Sequence, residues 1–304
     1  MAIEVREDYT YETMPEYTEP VEGAKEIIFH GDEIAVDYIP DVVYDTKDDT
    51  ELHLQILMPK IFNRTDVRFP GIIYVQGSAW FKQNCYREIP NLSKLASRGY
   101  VIAIVEYRHS GIAHFPAPII DAKNATRFMK AHADEYNLDK NTIFMMGNSS
   151  GGQVSTVSGM TAKTNLFDEP INDETLDYKG IIDLYGAIEL TLPYGFPTTE
   201  NHQLPDSPEG REMGWNIREH MEETKAANSI TYVDYDYAPL LILHGTKDRL
   251  VYCEQSVRLY NACRQAGKDV QLYLVKGADH GGPAFAKEET FDIYEAFFRH
   301  CLTQ

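Results

Sequence analysis

The chain is short of positive charge. Lysine and arginine number 28 against 47 aspartates and glutamates, a net charge of -19. A surface of that sign repels phosphate backbones and anionic bilayers, so neither nucleic acid nor a membrane is expected as a partner. No stretch reaches the ~18 consecutive apolar residues from which a spanning helix is read. The opening segment, MAIEVREDYTYETMPEYTEP, lacks the basic start and apolar core of a secretory signal, and the expected compartment is the cytoplasm. Cysteine is scarce. Cys85, Cys253, Cys263 and Cys301 form no C-x-x-C pair, so no zinc site is expected and reduced thiols are the default. Cys85 falls in a loop near the motifs below and reads as a bystander in preference to a reactive thiol. There is no internal repeat and no low-complexity tract.

What is present suits one large domain of 304 residues, 43% hydrophobic and 12% aromatic. Residues 1–25 are rich in Tyr, Glu and Pro and read as an N-terminal arm ordered by Tyr9, Tyr11 and Tyr17. The arm is a candidate surface for a second subunit, so a homo-oligomer is among the expected partners. Ile34–Tyr44 and Leu52–Met58 carry β-rich patterns on either side of a Lys47-Asp48-Asp49 turn and read as an antiparallel pair.

Strands and helices then alternate. Gly71–Gln76, Tyr100–Tyr107, Ile181–Tyr185, Leu241–His244 and Val270–Val275 read as strands. Helices are expected over Asn91–Arg98 and Ile119–Tyr136. Another helix carries Leu259, Ala262, Cys263 and Ala266, and the last carries Tyr294, Phe297, Phe298 and Cys301. His132 lies on the apolar stripe of the second helix and reads as packed. Such alternation predicts an α/β fold, a mostly parallel central sheet with helices on both faces. The rhythm breaks at about 190–238, a long polar segment with Pro193, Pro197, Pro205, Pro208 and Trp215. A connection of that length predicts a small cap or lid insertion in a domain spanning 26–304.

The sharpest local signal is the apolar run Ile143–Met146 followed by Gly147-Asn148-Ser149-Ser150-Gly151-Gly152. Strand, tight turn and helix are the setting of a G-x-S-x-G nucleophile elbow. Ser149 would sit at the tip of a strained turn, with Gly147 and Gly151 letting strand and helix approach. The Ser150 N–H, at the helix start, would point at a developing oxyanion. A serine nucleophile needs a base and an orienting carboxylate. In a doubly wound sheet these lie on loops after strands. Gly245-Thr246-Lys247-Asp248 supplies Asp248, and Ala278-Asp279-His280-Gly281-Gly282 supplies His280. Asp279 adjoins His280 and would point elsewhere, His300 lies in the terminal helix, and His244 reads as structural.

After the strand ending at Gln76 comes Gly77-Ser78-Ala79-Trp80. With the elbow and the order Ser, Asp, His, this stretch resembles the α/β-hydrolase-fold serine esterases, in the branch of hormone-sensitive-lipase-like, acetyl-xylan and feruloyl esterases. Their motif here is H-G-G-G-[FW]. Gln76 stands for the histidine and Gly77, Ser78 and Ala79 for the glycines, with Trp80 on the aromatic. Tyr107-Arg108, Phe115-Pro116 and Asp121 resemble the family's structural Y-R … F-P … D stretch. The resemblance implies that the Ser78 and Ala79 N–H groups complete the oxyanion hole with Ser150. It implies hydrolysis of a small carboxylic ester without metal or organic cofactor. Trp80 is a candidate substrate-binding residue that could stack on a sugar or aromatic group, set against a wall of packing. Short acyl, aryl and sugar esters are the expected substrates. A prolyl-oligopeptidase-like peptidase and a non-catalytic small-molecule-binding protein on the same fold are the alternatives.

Overall fold

The computed structural model describes residues 5–47, 49–170, 175–192 and 197–303. Asp48 of the expected turn and Pro193 of the expected insertion lie outside the described residues. Strands β1 (Ile34–Lys47) and β2 (Thr50–Ile61) pair antiparallel from Ile34 opposite Ile61 to Lys47 opposite Thr50. Beyond them come β3 (Phe69–Val75), β4 (Val101–Val105), β5 (Leu138–Asn148), β6 (Gly180–Leu184), β7 (Leu240–Gly245) and β8 (Val270–Val275). They form one sheet ordered β1-β2-β4-β3-β5-β6-β7-β8. β2 meets β4 antiparallel, and every later pairing is parallel. Strands covered on both faces are mostly apolar, which is why β4 reads as a short unbroken hydrophobic run and β6 as one interrupted only by Asp183.

Helices α1 (Ile89–Ala96), α2 (Ala117–Ala131), α3 (Ser150–Met160), α4 (Pro208–Met213), α5 (Met221–Thr224), α6 (Glu254–Gln265) and α7 (Glu288–Leu302) complete the layers. One apolar core joins the sheet to α2, α3 and α6, and a second joins it to α1 and α7. The α/β class and its two helical layers are therefore as expected. α2 stops five residues short of the expected Tyr136. His132 caps it, with its ring stacked on Phe128 at 4.3 Å.

α3 is buried along its whole length. It is therefore not amphipathic, and its Thr156 hydroxyl bonds internally, to Ser229 at 2.5 Å. Segment 197–238 lies over it, where Gln153 donates to the Ala227 carbonyl at 2.9 Å, and it also meets the segment before α2, where the Phe115 N–H donates to Glu212 O at 2.9 Å. α4 begins in the ordinary way, with Ser207 accepting from the Gly210 N–H and Pro208 at the first position. Residues 5–33 hold no regular element. They touch the domain through Tyr11 and Phe29, both edge-on to Phe62, and through Glu12 to Asn63. Among the described residues no helix is long and apolar enough to cross a membrane.

Candidate active site

The centre of the sheet delivers Ser149. β5 turns straight into α3, and Ser149 sits between them at φ 54°, ψ -127°. A side chain in that region is strained, and the surroundings must hold it. They do so by proximity. A Cβ on Gly147 would strike the Gly151 carbonyl, and one on Gly151 would strike the Val75 carbonyl. The Ser149 N–H is fixed on Leu184 O at 2.9 Å.

Two loops at the carboxyl ends of β7 and β8 supply the partners. His280 Nε2 stands 2.8 Å from Ser149 Oγ, and His280 Nδ1 stands 2.7 Å from Asp248 Oδ2. Asp248 Oδ1 accepts from the N–H groups of Leu250 and Val251 at 2.9 and 2.8 Å. Burial alone would raise the Asp248 pKa. Hydrogen bonds from His244 and His280 prevail and hold it well below the usual carboxylate range. Asp279 is not in this chain of contacts. It accepts from Arg249 and from the His280 N–H at 2.8 Å, tying the β7 and β8 loops together. His300 is paired with Asp269 at the far end of the sheet.

The loop after β3 closes the other side. The Gly77 N–H donates to Asn148 Oδ1 at 2.7 Å. The Ser78 N–H donates to Ser150 Oγ at 2.9 Å. This corrects the expectation that Ser78 is an oxyanion donor: the hydroxyl of Ser150 already occupies its hydrogen. Ala79, at φ 54°, and Ser150, first in α3, keep N–H groups with no protein acceptor among the described residues. Trp80 needs correction too. Its ring is 1% exposed and its Nε1 donates to Gln153 Oε1 at 3.2 Å, so it anchors α3 and offers no face for stacking. Burial pushes the Cys85 thiol up to about 12, which makes it an inert bystander.

Tyr185 and Asn148 escaped the sequence reading, and His244, read there as structural, touches the site acid. His244 is fully buried, with Nε2 3.1 Å from Asp248 Oδ2 and 2.9 Å from Val251 O, and with Nδ1 2.7 Å from Ser256 Oγ. Tyr185 receives a hydrogen bond from Asn148 at 3.0 Å and lies edge-on to His280, ring centres 4.9 Å apart. Asn148 thus links the β3 loop to Tyr185. Only its place beside Ser149 signalled this. Ser149 and His280 stand between two cavities. One, about 300 Å³, is lined by Phe81, Ala187 and Val251; the other, about 610 Å³, by Arg87, Asn91 and Lys94.

A serine so placed can pass its proton to the imidazole as it attacks an electrophilic carbon, and free N–H groups can hold the resulting oxyanion. Known proteins share this arrangement of sequence and fold. A model of the BD-FAE family matches residues 54–263. The probable carboxylic ester hydrolase LipM of Mycobacterium tuberculosis is 26% identical over 70% of this chain and 50% of its own length. Esterase LipC of the same organism is 28% identical over 70% of this chain and 53% of its own. The chain thus spans about half the length of the curated relatives it matches. Among solved structures, a truncated carbohydrate esterase from gut microbiota is 27% identical with a TM-score of 0.74, covering 90% of this chain and 98% of that one. Butyrate-bound Est2 of Thermogutta terrifontis, at 22% identity and TM-score 0.69 over 89% and 95%, shares the fold. The family match covers well over half of the chain, from β2 to α6, and on it the chain belongs to the BD-FAE family, on an α/β-hydrolase fold.

Proposed function

We propose that the chain hydrolyses small carboxylic esters through an acyl-enzyme intermediate on Ser149. The carrying observation is the contact chain Ser149 Oγ to His280 Nε2 at 2.8 Å and His280 Nδ1 to Asp248 at 2.7 Å. In this reading His280 takes the Ser149 proton as Oγ attacks the ester carbonyl. The N–H groups of Ala79 and Ser150 stabilise the oxyanion, while Asp248 holds the His280 tautomer. His280 then protonates the leaving alcohol, and water, activated by the same imidazole, releases the acid. Every step uses side-chain and backbone groups of this chain.

The two cavities support a choice of substrate. The smaller, about 300 Å³ with an apolar wall, suits an acyl group of a few carbons. The larger carries Arg87, Asn91 and Lys94 and suits a polar alcohol such as a sugar. Likeness to the carbohydrate esterase supports the sugar ester among these.

The test is hydrolysis of p-nitrophenyl acetate by the native protein and by Ser149→Ala, followed by fluorophosphonate labelling read by mass spectrometry. The expected result is activity lost in the variant and the label on Ser149. Full activity in Ser149→Ala, or a label elsewhere, overturns the assignment. No hydrolysis and no label on the native protein overturns the hydrolase reading itself.

A further inference from the structure

Beside the catalytic cleft lies a third hollow of about 440 Å³, between the loop after β3, the segment following β4, and α4. Its wall brings together Lys82, His109, His114 and Arg211, with Phe81 and Trp215. Four basic side chains around one hollow are unexpected in a chain where acids outnumber Lys and Arg 47 to 28. Several cations elsewhere are paired: Arg98 meets three carboxylates, Arg108 meets Asp121 and Arg258 meets Glu189. Among the described residues no carboxylate comes within ion-pair distance of Lys82, His109, His114 or Arg211.

The donors also face the right way. His114 Nδ1 donates to the Arg211 carbonyl at 2.8 Å, so its Nε2 is the acceptor nitrogen and the ring serves to position Arg211. His109 Nδ1 accepts from the Gly111 N–H at 3.1 Å, so its Nε2 carries hydrogen and donates. Arg211 uses Nε on the Asp206 carbonyl at 3.2 Å and stands over the Phe81 ring, 5.7 Å from its centre. Glu212, beside Arg211 in α4, is 1% exposed, and burial with repulsion from Asp121 raises its pKa. Glu209 is engaged by His202 at 2.6 Å.

We infer that this hollow binds the anionic group of a ring-bearing ligand, a carboxylate or phosphate carried on a sugar or aromatic ring. Guanidinium and ammonium neutralise the anion, the His109 Nε2–H donates to its oxygens, and Phe81 and Trp215 supply ring faces. Phe81 also lines the apolar cavity at Ser149, so one ligand can reach from that cavity into the hollow. The inference rests on charge and shape and stands apart from the ester-hydrolysis reading.

It is tested on Ser149→Ala protein, in which turnover plays no part. The chain has two tryptophans; Trp215 lies at the hollow and Trp80 at the Ser149 cavity, so a fluorescence change is assigned to the hollow by its weakening in the Lys82 and Arg211 variants below. The protein is titrated with glucuronate, glucose 6-phosphate and glucose. A saturable change with either anion and none with glucose is expected, weakening as NaCl rises. Lys82→Gln and Arg211→Gln should each weaken it roughly ten-fold, the size of one charge-assisted hydrogen bond. The tighter anion identifies the head group. No saturable change with either anion, equal binding of glucose, or unaltered binding in both variants overturns the inference.

Discussion

Asp248 receives four hydrogen-bond donors on two oxygens: two backbone N–H groups on Oδ1, and His280 and His244 on Oδ2. An amide cannot accept at both ends. Asp248→Asn would turn an NH₂ towards two N–H groups that already donate, leaving His280 in the wrong tautomer. We expect kcat for p-nitrophenyl acetate to fall about 10⁴-fold. A fall under ten-fold would mean that Asp248 does not orient the base. Because the folded carboxyl lies below its ordinary 3.8, its contribution to stability is complete above that pH and is lost as pH falls towards the folded value.

Asp183 is the opposite case. It is fully buried on β6, and burial, partly offset by the charge of His244, raises its pKa from 3.8 to about 7. Between those values the folded protein holds a proton that the unfolded chain releases, so stability falls as pH rises, and the full penalty stands above pH 7. Asp183→Asn removes the titration. The difference in Tm, variant minus native, should become more positive by a few degrees from pH 5 to pH 8. A difference that stays flat or falls would refute the raised value.

At the scale of elements, the tightest fit is between β3, β5 and α3. Gly151→Ala would drive a methyl into the Val75 carbonyl, a backbone atom that cannot rotate aside. Overpacking of this kind costs about 1–3 kcal/mol or more. The variant should melt lower and lose most of the proposed p-nitrophenyl acetate hydrolysis; native values for both would show that strand and helix separate freely. The segment over α3 has its own fastening. Burial lowers the His202 pKa, but the hydrogen bond and charge of Glu209 outweigh this and raise it. The pair therefore contributes fully below the ordinary 6.5 and fades as pH rises through the folded value. Glu209→Gln should speed hydrogen exchange in 197–213 strongly at pH 6 and little at pH 9, once intrinsic exchange is corrected for. Equal effects at both pH values would assign the pair no charge.

These elements differ in how far they could be read beforehand. β4 is an unbroken apolar run, and β6 and β7 are apolar but for Asp183 and His244, because both faces are covered, and the sequence carries that directly. The convergence of Ser149, Asp248 and His280 was legible because parallel strands deliver their following loops to one edge. What the Ser78 N–H meets was not. That depends on where the Ser150 hydroxyl points, a rotamer set by packing. Trp80 reads the same whether it faces solvent or Gln153. His244 reaches Asp248 only because the loop between them curls so that Asp248 accepts from Val251, and no periodicity reports that curl. The 197–238 segment holds short helices and polar contacts to α3, with no repeating apolar stripe to mark them.

Over the whole molecule the excess of 19 negative charges is the dominant long-range term. Residues 5–33 add acids while making few contacts, so removing residues 1–30 should leave Tm nearly unchanged, and a loss of many degrees would show the arm to be integral. The excess repels itself over a range of ~30 Å at 0.01 M salt and ~8 Å at 0.15 M. Raising NaCl across that interval should raise Tm, although each ion pair is weakened by the same screening. Arg98 tests which effect wins locally. It neutralises Glu288, Asp292 and Glu295 on α7, and the three carboxylates hold its guanidinium pKa above the ordinary range. In Arg98→Gln those acids face one another along the helix with only Lys94, 3.8 Å from Glu288, opposite them among the described residues. The variant should melt below the native protein at 0.01 M NaCl, and the gap should narrow at 0.15 M as repulsion is screened. A gap that does not change with salt would mean Arg98 holds α7 by packing against Phe291, whose ring centre lies 5.7 Å away, and not by charge.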